Sequence, residues 1–152
     1  MKYWLMKNEV SDYCIDDLAK DKSTAWTGVR NYQARNFMRD EMAPGDLGIF
    51  YHSNAEPSGA AGILRIQGPA IADETQFDKK SKYFDAKATK EKPRWFCQVV
   101  KFRSKFKRVV SIQEMRDNKA CKNMLILRPG NRLSITPLSK QEFEVICKMS
   151  EE

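Results

Sequence analysis

Between Thr24 and Arg39 the chain reads Thr-Ala-Trp-Thr-Gly-Val-Arg-Asn-Tyr-Gln-Ala-Arg-Asn-Phe-Met-Arg, a mixture of one indole, one phenol, three guanidinium groups and three side-chain amides with few core residues among them. Packing alone does not ask for that set. Trp26 followed by Gly28 reads as a turn with an indole beside it, and the spacing predicts a helix over 30–38. A helix starting there turns free backbone N–H groups and a partial positive charge toward Trp26. An aromatic face beside amides and helix-end donors suits a flat polar ring such as a nucleobase. Stacking on such a face contributes about 1–3 kcal/mol, and amide and hydroxyl groups read the edge of the base. Trp26 is the expected stacking residue, with Asn31, Ser53 and Asn54 as edge readers; turn and cap duty is the other common use of Asn and Ser.

A catalytic set is harder to assemble. His52 is the only histidine, and the four cysteines, Cys14, Cys97, Cys121 and Cys147, are scattered with no C-x-x-C pair, so neither a zinc site nor any other metal centre is expected. No G-x-S-x-G, Walker loop or dinucleotide-binding glycine pattern occurs, and no cofactor is implied. Two rival functions stay open. One is an enzyme acting on a modified base or nucleotide, with His52 or Glu56 as its acid–base group; the other is a small-molecule or protein-binding module whose charge is only a solvated surface.

The elements that must position these residues follow from periodicity. Tyr3–Met6 is an apolar run expected as a buried strand, with Trp4 in its core face. Ile15 and Leu18 mark a short amphipathic helix. Pro44-Gly45-Asp46 is a turn before a strand at 47–51, on which Ile49, Tyr51 and Ser53 share one face. A third strand is expected over 60–66 and a fourth over 95–106, and a short strand over 131–137. Ser111-Ile-Gln-Glu114 and Ser139-Lys-Gln-Glu142 match capping boxes, predicting helices over 111–117 and 139–149. Strands and helices do not alternate as regular βαβ units. The fold class is therefore α+β, a curled mixed sheet or small barrel with flanking helices, in one domain over 1–152.

Charge points to the partner. Of a net +7, residues 58–110 hold 13 Lys and Arg against 5 Asp and Glu, while the segments on either side are close to neutral. Much of that excess lies in the polar stretch 72–92, where lysines interleave with Phe77, Tyr83 and Phe84, and on the alternation Lys101, Arg103, Lys105, Lys107, which predicts one basic strand face. Lys79, Lys80, Lys82, Arg94, Lys105 and Lys107 are the expected phosphate contacts of a nucleic acid. No apolar run approaches the roughly 18 residues of a membrane span, and the N-terminus lacks a signal peptide's apolar stretch, so a cytoplasmic, bacterial-type setting and no membrane partner are expected.

With these segments in place, Tyr3-Trp-Leu-Met-Lys7, Trp26–Arg39, Gly45-Asp46, Phe50-Tyr-His-Ser-Asn54, Gln76-Phe-Asp78, Pro93-Arg-Trp95 and Arg132-Leu-Ser134 resemble, in order and over nearly the whole chain, the EVE domain family of the PUA-like group. The resemblance implies a curled, barrel-like sheet with flanking helices and a non-catalytic reader of a modified, methylated base in DNA or RNA. It also implies a pocket built from Trp26, Asn31, Ser53 and Asn54, with Lys7 and Arg30 nearby; Tyr51 and Trp95 are further aromatic candidates. A methyl group enclosed by an aromatic cage adds about 1–2 kcal/mol of burial. The chain departs from the family pattern at Asn8 and Val10, where Ser and Pro are usual, and at Lys79 and Ala86, where Pro is usual.

Overall fold

The computed structural model describes residues 1–152. Strands β1 (Tyr3–Glu9), β2 (Ser23–Ala25), β3 (Leu47–Ser53), β4 (Gly59–Ala72), β5 (Phe96–Ser111) and β6 (Ile135–Leu138) form one sheet in the order β2-β5-β4-β3-β1-β6. Only β1 and β3 run parallel, with Leu5 opposite Ile49, and every other pairing is antiparallel. Helices α1 (Ile15–Asp21), α2 (Tyr32–Asn36), α3 (Ile112–Asp117) and α4 (Lys140–Ser150) flank it. The expected curled mixed sheet is present, but it does not close into a barrel. Its edges are β2, of three residues, and β6, of four including Pro137, which has no N–H to offer a closing ladder.

Alternation along the strands feeds two cores. Trp4, Met6, Phe50, Leu64 and Ile66 point to one side, where they meet Ile15 and Leu18 of α1 and Ala34 and Met38 of the α2 segment. Leu5, Ile49, Tyr51 and Val110 point to the other and meet Met115 of α3 and Phe143 and Ile146 of α4. A strand buried on both faces must be apolar at every position, hence the unbroken run in β1. Both capping boxes form: Ser111 Oγ accepts from the Glu114 amide at 3.1 Å, and Ser139 Oγ from the Glu142 amide at 3.0 Å.

The structure moves two expectations. The helix predicted over 30–38 begins at Tyr32, is capped by Asn31, and continues as a π-helical turn over Phe37–Glu41. The single basic face of β5 is broken by a bulge. Phe102 pairs with Leu64 and Ser104 with Ile63, so Arg103 has no partner and the side-chain parity reverses beyond it. Phe102 therefore packs into the first core and Phe106 into the second, while Lys101 and Lys105 leave the sheet on opposite faces.

Candidate functional site

The turn at Trp26–Gly28 is held by its backbone. The Trp26 amide donates to Gln98 O at 2.9 Å, the Thr27 amide to Ala25 O at 3.0 Å, and the Gly28 amide to Asp73 Oδ2 at 2.8 Å. Gly28 has φ +89°, and a Cβ there would lie 2.7 Å from the Tyr83 ring, so the position requires glycine both for conformation and for the close approach of that ring. Asp73 is 1% exposed and also accepts from the Thr75 amide and hydroxyl and from Arg30. Burial alone would raise its pKa, but the hydrogen bonds from Thr75, Gly28 and Arg30 outweigh burial and hold the carboxyl below its usual range.

Arg30 is a rivet. Its five N–H groups donate to Tyr83 O (twice), Val29 O, Asp73 Oδ2 and Thr75 Oγ1, and its guanidinium lies between the rings of Tyr83 and Trp95 at 5.4 and 5.2 Å. Gln76, fully buried, donates to Asp73 O and Trp95 O and accepts from the Arg94 and Trp95 amides. The lysine-rich stretch after Phe77 is thus tied to the body at both ends, and it delivers Tyr83 against the Trp26 turn.

Two adjoining cavities of about 220 and 250 Å³ result, sharing Asn8, Asp12, Trp26, Thr27 and Tyr83 as walls. Tyr13 and Thr24 complete the first, and Lys7, Ser53, Lys82, Arg132 and Ser134 rim the second. Burial and a hydrogen bond to Asp21 push the Tyr13 hydroxyl up to about 12, and burial lowers the pKa of the Lys7 ammonium. Trp26 is not an open stacking face. It is 3% exposed, meets the edge of Phe50 at 5.1 Å, and gives the cleft a narrow strip of its floor. Tyr83, half-buried, is the ring that the cleft presents.

Of the residues expected at the site, Trp26, Lys7, Ser53 and Lys82 come together here. The others have different work. Asn31 Oδ1 caps α2 by accepting from the Ala34 amide at 3.0 Å, and Asn54 donates to Glu9 at 2.9 Å in a turn where its φ is +49°. Tyr51 is buried in the core on the opposite face of the sheet. Trp95 stacks on Tyr32 at 4.8 Å and donates to Asp85, and Arg94 pairs with that same Asp85. Lys79 and Lys80 stand exposed on the loop. Lys105, ion-paired with Asp16 at 2.8 Å, and Lys107 line a separate cavity of about 200 Å³ with His52. Tyr83, Asn8, Asp12 and Arg132 also line the site and are not among the residues expected there from the sequence. Tyr83 was hidden among lysines, and Arg132 was visible only in the Arg132-Leu-Ser134 segment.

His52 does not line the cleft. Its Nε2 accepts the Ile15 amide at 3.0 Å at the start of α1, and burial lowers its pKa. Burial pushes the Cys97 thiol up to about 12, far from a nucleophilic range. Because the His52 pKa is depressed on folding, its contribution to stability is complete above the unfolded value of about 6.5 and is lost as pH falls below it through the folded value. Urea titrations should show stability declining from pH 7 to pH 5. The His52→Ala protein should be about 1–3 kcal/mol less stable at pH 7, from the unpaired Ile15 amide, with a flatter pH profile. No group of three or more His, Cys, Asp or Glu is placed to hold a metal ion, and no helix is long and apolar enough to cross a membrane.

The same fold and related sequences occur among known proteins. Thymocyte nuclear protein 1 of Gallus gallus is 37% identical over 169 residues, covering 99% of this chain and 69% of that protein. A hypothetical protein from Leishmania major has a TM-score of 0.95 at 43% identity, over 99% of this chain and 95% of that one. Human THYN1 protein, in a crystal structure in complex with 5-methylcytosine containing DNA, has a TM-score of 0.92 at 34% identity, over 100% of this chain and 99% of that one. The EVE domain sequence profile matches residues 2–149, and the chain belongs to the EVE domain family.

Proposed function

We propose that this chain is a non-catalytic DNA-binding module that seats a single methylated base in the cleft between Trp26 and Tyr83. The observation that carries the reading is the likeness, over the whole of this chain, to human THYN1 protein in a crystal structure in complex with 5-methylcytosine containing DNA. The cleft supports it. Its aromatic walls, Tyr13 and Tyr83, over the strip of floor that Trp26 gives, suit a flat ring with an added methyl group, and Lys7, Lys82 and Arg132 place cations at the rim where flanking phosphates would pass. A base inside a duplex cannot reach such a cleft unless it turns out of the stack. RNA carries similar base edges; DNA is favoured because DNA is the ligand of the human relative.

Fluorescence anisotropy with short DNA carrying one 5-methylcytosine, or cytosine at the same position, tests this. The methylated DNA should bind more tightly, and the logarithm of the affinity should fall linearly with log salt, with a slope of about 0.9 for each phosphate neutralised on a duplex. Tyr83→Ala should weaken binding by about 1–3 kcal/mol, roughly fivefold to 150-fold. Equal affinity for both strands, untouched by Tyr83→Ala, would overturn the proposal.

A further inference from the structure

An aromatic cleft that accepts a methyl group does not by itself distinguish 5-methylcytosine from thymine. The two bases carry the same methyl on the same ring carbon and differ at the neighbouring position, where one has an amino group and the other a carbonyl. Only a hydrogen-bonding group in the wall can separate them. We infer that Asp12 is that group, so that the cleft takes an aminopyrimidine and refuses a pyrimidine with a carbonyl in the same place. This rests on the base-binding reading above.

Asp12 lines both cavities, fixed there by the turn in which the Asp12 and Tyr13 amides donate to Glu9 O at 3.0 Å each. Its side chain is 38% exposed, and its single side-chain partner is Lys82 Nζ at 3.1 Å, across the mouth of the cleft. The other carboxylate at the rim, Glu9, is already engaged by Asn54 at 2.9 Å. Asn8 accepts the Glu9 amide through Oδ1 at 3.0 Å, which leaves its Nδ2 as a donor in the same wall. Asp12 Oδ1, which the Lys82 pair leaves without a partner, and Asn8 Nδ2 thus give both cavities an acceptor and a donor. Cytosine presents the complement, an amino donor beside a ring-nitrogen acceptor, and a carboxylate is the usual acceptor for that amino group. Thymine would set a carbonyl oxygen against the carboxylate, lone pair to lone pair.

The Asp12–Lys82 pair does not obstruct this. An exposed ion pair of this kind contributes little and is readily exchanged. The base amino group takes the place of Lys82 on Asp12, and Lys82 turns to a flanking phosphate, so entry of the base and capture of the backbone are linked in one exchange.

The experiment is anisotropy on one short oligonucleotide with 5-methylcytosine, cytosine or thymine at a single unpaired position, using the wild-type chain and Asp12→Asn. The asparagine keeps the shape of an exposed side chain and can donate to a carbonyl, and an unchanged thermal midpoint confirms the fold. The wild-type chain should prefer 5-methylcytosine to thymine by about tenfold or more. Asp12→Asn should bring that ratio close to one, even though loss of a negative charge tightens binding to all three strands. A wild-type ratio of one, or a ratio that survives Asp12→Asn, overturns the inference. Equal binding of cytosine and 5-methylcytosine, both above thymine, would remove the methyl reading of the previous section and leave the Asp12 assignment standing.

Discussion

Replacing Asp73 by Ala should lower the stability of the protein by about 3–5 kcal/mol, because it removes one member of a buried charge pair and leaves the other uncompensated. The carboxylate is 1% exposed, and Arg30, 21% exposed in its side chain, lies 3.1 Å away. The Gly28 amide would lose its acceptor as well, and with it the backbone contact that fixes the turn below Tyr83. For a domain of this length the loss corresponds to a fall in Tm of about 10 °C, measurable by calorimetry. The sign of the pH dependence follows from the lowered carboxyl pKa. Asp73 stabilises the fold above the unfolded value of about 3.9, and that stabilisation is lost as pH falls through the folded value. Acid unfolding of Asp73→Ala should therefore be shallower than that of the wild-type chain below about pH 4. A loss under 1 kcal/mol would show that the Gln76 and Arg30 contacts hold the turn without it.

Trp26→Ala should cost about 3–5 kcal/mol in stability, the range for deleting a large aromatic side chain from a packed core. The indole is 3% exposed and belongs to the same core as Trp4, Phe50 and Met38. Tyr83→Ala, at a half-buried ring on the rim, should cost about 1 kcal/mol in stability. The two substitutions thus separate fold from binding. Chemical denaturation should place Trp26→Ala far below Tyr83→Ala, while Tyr83→Ala shows the affinity defect with the fold intact. A Trp26→Ala protein as stable as the wild type would mean that the indole is a binding surface rather than part of the core.

The elements legible in the sequence were those whose cause is local. A run apolar at every position marked β1, two Ser-x-x-Glu boxes marked α3 and α4, and Pro44-Gly45-Asp46 marked the turn before β3, because each signal lies within a few residues of what it causes. The family, too, was legible, since its motifs are short and keep their order along the chain. Among site residues, Trp26, Lys7, Ser53 and Lys82 were chosen from the sequence and line the cleft. Asn31 has a side chain as suitable for a base edge as for a helix cap, and only its hydrogen bond to the Ala34 amide tells which use it has. Arg30 likewise looks free until the loop that binds its five donors is brought beside it.

By itself the sequence determined a mixed α and β domain, a basic middle segment and a turn bearing Trp26 as the place to look. The tertiary structure alone decided that Tyr83 walls the cleft, that Asp12 and Arg132 reach it from segments 120 residues apart in sequence, and that the basic alternation on β5 divides between two faces. The physical reason is the range of the forces involved. Periodicity and capping act over one or two turns of chain, whereas a cleft is assembled by Asp73, Arg30 and Gln76 joining strands and loops that lie more than 40 residues apart from the Trp26 turn.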